Sequence, residues 1–338
     1  MNIVALVHFA VPFRNAGSET MLHALLKPLA AAGHDVTVVT TDTPQAPHHY
    51  QWDGIKGLSR PGARAAAEAV RELAPDVVVT QHQNTALALD LARETGAKSV
   101  FLMHNDFELN GELLAREPDL VVFNTDWIAA KYADQAPRSL VVHPPVWAEQ
   151  HATTPGDCIT LVNLNRDKGA AHLYYLARRM PEQQFLGVIG AHGKQVRVGG
   201  DNVEIVEHTT DMRADVWART RILIMPSVYE SYGMVGIEAM ASGIPVVAAP
   251  TPGLVESLGD AGTFVERDDL DAWETALRGL LDPKAYKAAS ARALKRSAQL
   301  DPTAELAAWV TAVEEVSGHA RPRRRSRPRS TPRKAADA

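Results

Sequence analysis

An α/β fold with two doubly wound, Rossmann-like parallel sheets in series follows from three features of the 338-residue chain. Short apolar runs of strand length alternate with helical patterns over the first 145 residues, as expected of parallel strands covered by helices on both faces. The alternation lapses across residues 141–155 (VVHPPVWAEQHATTP), where adjacent prolines forbid helix. A second alternation of the same kind then begins.

In the first half, strands are predicted at 3–7, 36–40, 76–80, 99–104, 120–124 and 140–143. Helices are predicted at 18–32, ended by Gly33, and at 65–73, both with small and apolar residues suited to packing on a sheet. Pro28 removes one backbone bond and predicts a kink in the third turn. In the second half, strands are predicted at 159–164, 185–189, 203–206, 222–225, 245–248 and 263–265. The helix at 170–180 gathers Leu173, Leu176, Ala177 and Met180 on one face, and that at 271–281 gathers Trp273, Ala276, Leu277 and Leu280. Leu306, Trp309, Val310, Val313 and Val316 make a last amphipathic stripe. The predicted division is a first Rossmann-like domain at 1–148, a second at 149–300, a helix at 301–317 that packs back on the first domain, and a tail at 318–338. Two such sheets put their carboxyl edges on one cleft, where these folds bind ligands.

With 46% hydrophobic and 22% charged residues the chain can bury a large core. Its apolar start, MNIVALVHFAVPF, has no basic residue before it and spans about half a membrane, so it reads as a buried strand, with no transmembrane segment. The single cysteine, Cys158, rules out an internal disulfide and supplies no metal cluster, which gives a cytoplasmic expectation. The net charge of -5 is uneven: the last 21 residues hold eight of the 35 basic and one of the 40 acidic residues. The tail between Arg321 and Lys334 has too little apolar surface to order itself, and it either binds a polyanion (nucleic acid or an anionic membrane surface) or is a solvated extension.

The stretch at 225–253, MPSVYESYGMVGIEAMASGIPVVAAPTPG, carries the chemistry. A strand ends near Pro226, a polar turn carries Glu230, Gly233 permits close approach of backbone, and a helix follows that carries Glu238 and ends at Gly243. The backbone N–H groups of Gly233, Met234 and Val235 have no intrahelical partners and favour a diphosphate. Glu230 and Glu238, one to either side, are placed to accept hydrogen bonds from sugar hydroxyls, at about 1.5 to 3 kcal/mol for each charge-assisted bond.

These residues resemble the retaining glycosyltransferases of family four, which have the two-domain fold called GT-B. The resemblance rests on E-x7-E at Glu230 and Glu238, on EAMASGIPVVA at 238–248, on Gly253 and Glu256, and on Gly33-His34, and it extends with gaps over residues 1–316. It implies that Glu230 contacts the transferred sugar, Glu238 the ribose hydroxyls, and the amides of Gly233 to Val235 the diphosphate. It also implies a nucleoside-diphosphate sugar donor, a hydroxyl acceptor and retained anomeric configuration.

In NLNRDKG at 163–169, Lys168 and Arg166 follow a strand and are suited to neutralising the leaving diphosphate. The resemblance carries Lys168 over, whereas Arg166 either replaces a missing family arginine or is a solvated loop cation. In RNAGSE at 14–19, Gly17 allows close approach and Ser18 is suited to cap the helix, so the segment is either a ligand loop or a plain strand-to-helix turn. His104 ends a strand and is assigned by resemblance to substrate positioning, with His82 a weaker candidate of the same type. Asp269-Leu270-Asp271 spells D-x-D but falls where a helix starts, so it reads as a cap, and neither a metal nor another cofactor is expected. The glycines at 187, 190 and 193 have the wrong spacing for a dinucleotide loop. Two alternatives stand beside simple hydroxyl transfer: the same chemistry on a modified nucleic-acid base, and a nucleotide-sugar epimerase on this fold.

Overall fold

A computed structural model of the chain describes residues 1–43, 45–191 and 193–319. The expectations placed on the tail between Arg321 and Lys334 lie outside the described residues.

The first half forms one sheet from β1 (Asn2–Val7), β2 (Asp35–Thr40), β3 (His49–Trp52), β4 (Ile55–Ser59), β5 (Val77–Thr80), β6 (Lys98–Met103), β7 (Leu120–Phe123) and β8 (Ser139–Val141). Their spatial order is β3-β4-β2-β1-β5-β6-β7-β8, parallel throughout except for β3, which runs antiparallel to β4. The second half forms β9 (Cys158–Val162), β10 (Phe185–Val188), β11 (Val203–Val206), β12 (Thr220–Met225), β13 (Val246–Ala248) and β14 (Thr263–Phe264), all parallel, in the order β11-β10-β9-β12-β13-β14. In each sheet the direction of winding reverses at the first strand, between β1 and β5 and between β9 and β12. The loops leaving the carboxyl ends there, 8–16, 163–169 and 226–233, are those such a sheet offers to a ligand.

Central strands carry apolar residues on both faces because helices cover both: Ile3, Val4, Ala5, Leu6 and Val7 are all fully buried. The β3–β4 hairpin is an addition to the predicted strands. Its strands are short and polar, yet the turn is Asp53-Gly54 with φ of 48° and 81°, the Asp-Gly pair that a two-residue hairpin turn demands. A further unpredicted element is the 17-residue helix Pro283–Gln299. It lacks a broad apolar stripe and buries Ala289 and Ala293, but its start is marked by Asp282, which caps it by accepting from the Ala285 N–H at 2.9 Å, with proline in the first turn.

Helix Gly17–Ala31 runs through Pro28, whose carbonyl accepts from the Ala32 N–H at 2.9 Å. One local expectation is corrected. Ser18 lies inside that helix rather than capping it; the cap position is Ala16, which offers no side-chain acceptor. The final helix, Thr303–Val316, packs on Gly17–Ala31, and the Trp309 indole N–H donates to the Leu25 carbonyl at 2.8 Å. Leu306, Trp309, Val313 and Val316 join the same core as β1 and that first helix. Burying side chains of this kind contributes on the order of 1.5 to 3 kcal/mol each, which fastens the end of the described chain to the first lobe. Among the described residues no helix is long and apolar enough to cross a membrane.

Candidate active site

Between the lobes lies a cleft of ≈ 1110 Å³ whose walls come from both sheets. From the first lobe it takes Gly17, His82, His104 and Asn124, and from the second Lys168, Glu230, Gly233, Met234, Val235 and Glu238. The lobes approach closely here: a Cβ added to Gly17 would lie 3.8 Å from the Met234 sulfur, so the two helix starts face one another across the gap.

Glu230 sits in the loop after β12, where its Oε1 accepts from the Lys168 Nζ at 2.5 Å and from the Ser227 hydroxyl at 3.0 Å. Lys168 comes from the loop after β9, and close packing of the two loops brings it there. Gly169, at φ +96°, has Pro226 so near that a Cβ would meet its side chain at 2.3 Å, and the Val228 N–H donates to the Asp167 carbonyl at 2.8 Å. Both charged side chains remain partly open to solvent, so the pair itself stabilises the fold little. A desolvated phosphate entering the cleft would find the ammonium already placed.

Gly233 caps the helix Met234–Met240 in the left-handed region, φ +89°, and no side chain caps the amides that open the helix. A Cβ at Gly233 would lie 2.5 Å from Leu254, so glycine is required both for the backbone and for the packing beneath it. Glu238 stands in the same helix with its side chain 13% exposed, and burial pushes its carboxyl up to about 7. The nearest cation-forming group, the His151 Nδ1, is 3.8 Å away. Both acids therefore line the cleft, with the helix start between them.

His104, 7% exposed, closes β6. Its Nε2–H donates to the Gln81 Oε1 at 2.6 Å, and its backbone carbonyl accepts from the Asn124 side-chain amide at 3.0 Å. His82 lies beside it with ring centroids 5.1 Å apart, and His8 meets His82 edge-on at 5.6 Å. Burial, with mutual repulsion along the row, holds His104 well below the ordinary imidazole range and His82 down to about 4; burial and then Arg14 lower His8. His82 and His104 thus give this wall of the cleft two imidazoles whose charged forms burial disfavours.

Arg166 does not join Lys168: it is exposed and does not line the cleft, its carbonyl serving the turn by accepting from the Gly169 N–H at 3.2 Å. Gly253 and Glu256 have roles that the sequence did not disclose. A Cβ at Gly253 would meet the Ser231 and Glu230 carbonyl oxygens at 2.2 and 2.4 Å, so the helix Pro252–Leu258 lies directly against the Glu230 loop. Glu256 reaches across to the first lobe, where His143 bridges it to Glu305. Asp126, His143 and Glu256 offer heteroatoms within 4.8 Å of one another, as a metal site would. Burial alone would lower His143, but hydrogen bonds to Glu256 and Glu305 outweigh it and push the imidazole up to about 9. His143 thus sits between two carboxylates, hydrogen-bonding Glu256 through Nε2 and Glu305 through Nδ1. Asp269, of the D-x-D triplet, accepts from the Ala272 N–H at 2.9 Å and is a helix cap.

Two facing doubly wound sheets, with a helix start, two acids and a lysine in the cleft between them, define a GT-B architecture. The sequence profile described as "Glycosyltransferase Family 4" matches residues 16–150, and that described as "Glycosyl transferases group 1" matches residues 163–283. The chain belongs to the family 4, or group 1, glycosyltransferases. It is 39% identical over 114 residues to D-inositol 3-phosphate glycosyltransferase 2 of Catenulispora acidiphila, a match covering 33% of this chain and 23% of that protein. It is 36% identical over 85 residues to O-antigen chain mannosyltransferase B of Escherichia coli, covering 25% of this chain and 22% of that protein. The chain thus matches less than a quarter of the length of these curated relatives. Among solved structures it is similar to sucrose-phosphate synthase from Thermosynechococcus elongatus, at TM-score 0.76 and 18% identity over 95% of this chain and 100% of that one. It is likewise similar to Anabaena HepE in complex with UDP-glucose, at TM-score 0.76 and 16% identity over 94% and 99%. These likenesses show the fold.

Proposed function

We propose that the chain transfers a sugar from a nucleoside-diphosphate sugar to a hydroxyl acceptor, with retention of anomeric configuration. The observation that carries this reading is the meeting of Lys168 and Glu230 at 2.5 Å beside the uncapped helix start at Gly233. A diphosphate lying on the Gly233, Met234 and Val235 amides would take up the Lys168 ammonium and release the Glu230 carboxylate to accept sugar hydroxyls. Glu238 would hold the ribose hydroxyls, while His104 and Gly17 face the donor from the first lobe. In the transfer, the bond between the anomeric carbon and the diphosphate oxygen breaks and a bond to the acceptor oxygen forms on the same face. The acceptor proton passes to the departing diphosphate. Charge on the leaving group is met by Lys168 and helix amides, so the reading requires no metal. HepE, solved with UDP-glucose, shows that this fold can hold such a donor. A cytoplasmic site of action agrees with a donor of this class.

A thermal-shift screen against UDP, GDP, ADP, CDP and TDP sugars tests the donor, followed by released nucleoside diphosphate as a measure of turnover. Selective stabilisation by one base, lost in Lys168→Ala, supports the reading. Stabilisation by none, or full turnover by Glu230→Ala, overturns it.

A further inference from the structure

We infer that Glu256 is a positioning residue, a carboxylate clamp between the lobes that fixes the Glu230–Ser231 loop against the strand ends carrying His104 and Asn124. The inference rests on the functional reading above for its kinetic consequence, but its structural claim stands on the contacts alone.

Glu256 belongs to the second lobe, yet its partners belong to the first. Its Oε1 accepts from the Asp126 N–H at 2.8 Å and its Oε2 from the Trp127 N–H at 2.9 Å, so one carboxylate holds both amides at the start of the helix Asp126–Lys131. His143 donates to the same Oε1 at 2.9 Å and to the Glu305 Oε1 at 2.8 Å, and the His143 N–H donates to the Glu305 Oε2 at 2.7 Å. Behind Glu256, Arg296 donates to its backbone carbonyl at 2.7 Å. The acid is thus fixed from its own lobe and used wholly on the other.

The clamp acts at the chemistry because of what lies beside it. The Trp127 indole N–H donates to the Ser231 carbonyl at 3.0 Å. The Asn124 side-chain amide donates both to the Ser231 hydroxyl at 3.2 Å and to the His104 carbonyl at 3.0 Å. The helix bearing Glu256 touches the Glu230 and Ser231 carbonyls through Gly253. Ser231, the neighbour of Glu230, is therefore held to the first lobe by two side chains: that of Trp127, whose backbone amide Glu256 binds, and that of Asn124, two residues before the Asp126 amide that Glu256 also binds. The diphosphate groups, by contrast, all belong to the second lobe. A loosened clamp separates His104 from Glu230 without disturbing Lys168 or the Gly233 amides.

The test uses the full chain carrying dyes at Glu72→Cys and Lys287→Cys, both exposed positions on opposite lobes. Interlobe distance is measured with and without UDP, GDP, ADP, CDP and TDP, alongside turnover of the corresponding sugars. In Glu256→Gln, and in Trp127→Phe, which keeps an aromatic ring but loses the indole N–H, the distance distribution should broaden toward longer values. The maximal rate should fall by about 10- to 100-fold, with nucleoside-diphosphate affinity changed less than about twofold. Glu94→Gln, far from the cleft, should match wild type. An unchanged distance distribution overturns the clamp, as does a lower melting temperature accompanied by wild-type maximal rate. If wild type turns over none of the sugars, the functional reading falls and the distance measurement alone still decides the clamp.

Discussion

Replacing Gly253 with alanine adds one methyl group at the point where the second lobe supports its own chemistry. The new carbon would lie 2.2 Å from the Ser231 oxygen and 2.4 Å from the Glu230 oxygen, whereas ordinary contact begins at 3.4 Å. Both neighbours are backbone, so no rotamer change relieves the clash, and the loop or the helix must retreat by about 1 Å. Overpacking of this kind costs roughly 1 to 3 kcal/mol. The same shift carries Glu230 away from Lys168 and from the helix start, and a displacement of about 1 Å at a reacting centre can lower rate by about 100-fold. The expected result for Gly253→Ala is a melting temperature lower by roughly 2 to 4 °C per kcal/mol lost, with donor turnover reduced far beyond what residual unfolding explains. Gly279→Ala is the control. It lies in helix Leu270–Leu281 with nothing within 4 Å of an added Cβ, so it should raise stability by roughly 0.5 to 1 kcal/mol and leave turnover unchanged. Wild-type turnover and melting temperature in Gly253→Ala would refute the packing argument.

Other outcomes follow from the charges. Lys168→Ala leaves Glu230 without its ammonium partner and removes the leaving-group cation, so turnover should fall by about 100-fold or more, with nucleoside-diphosphate affinity as a second readout. Burial raises Glu238 to about 7, so its folded-state stability is full below the ordinary carboxyl range and is lost as pH rises through about 7. Ribose hydroxyls favour the ionised acid; nucleotide affinity measured by calorimetry should therefore rise between pH 6 and 8, and Glu238→Gln should flatten that slope. His143 faces Glu256, Glu305 and Asp126 with the Tyr232 ring beside it, and its value of about 9 lies above the free imidazole. Its contribution to stability is therefore full below about 6.5 and lost as pH rises through about 9. Melting curves from pH 7 to 10 should show this loss, and His143→Gln should show less of it.

The sequence by itself determined the pattern of twelve parallel strands and their covering helices, because a strand buried on both faces must be apolar along its length. It also determined that Glu230 and Glu238 flank a helix start with Gly233 at its head, since these features lie within nine consecutive residues. The Asp-Gly turn of β3–β4 and the Asp-Pro start of Pro283–Gln299 were legible too, but only through turn and cap chemistry, as neither element carries a strong apolar period. Tertiary structure alone decided which cations reach the cleft: Lys168 meets an acid 62 residues away while Arg166, two residues earlier, stays in solvent. It alone joined Glu256 to His143 and Asp126 across 113 and 130 residues of chain. Such pairs leave no local periodicity, because their partners are neighbours only where the two sheets face each other.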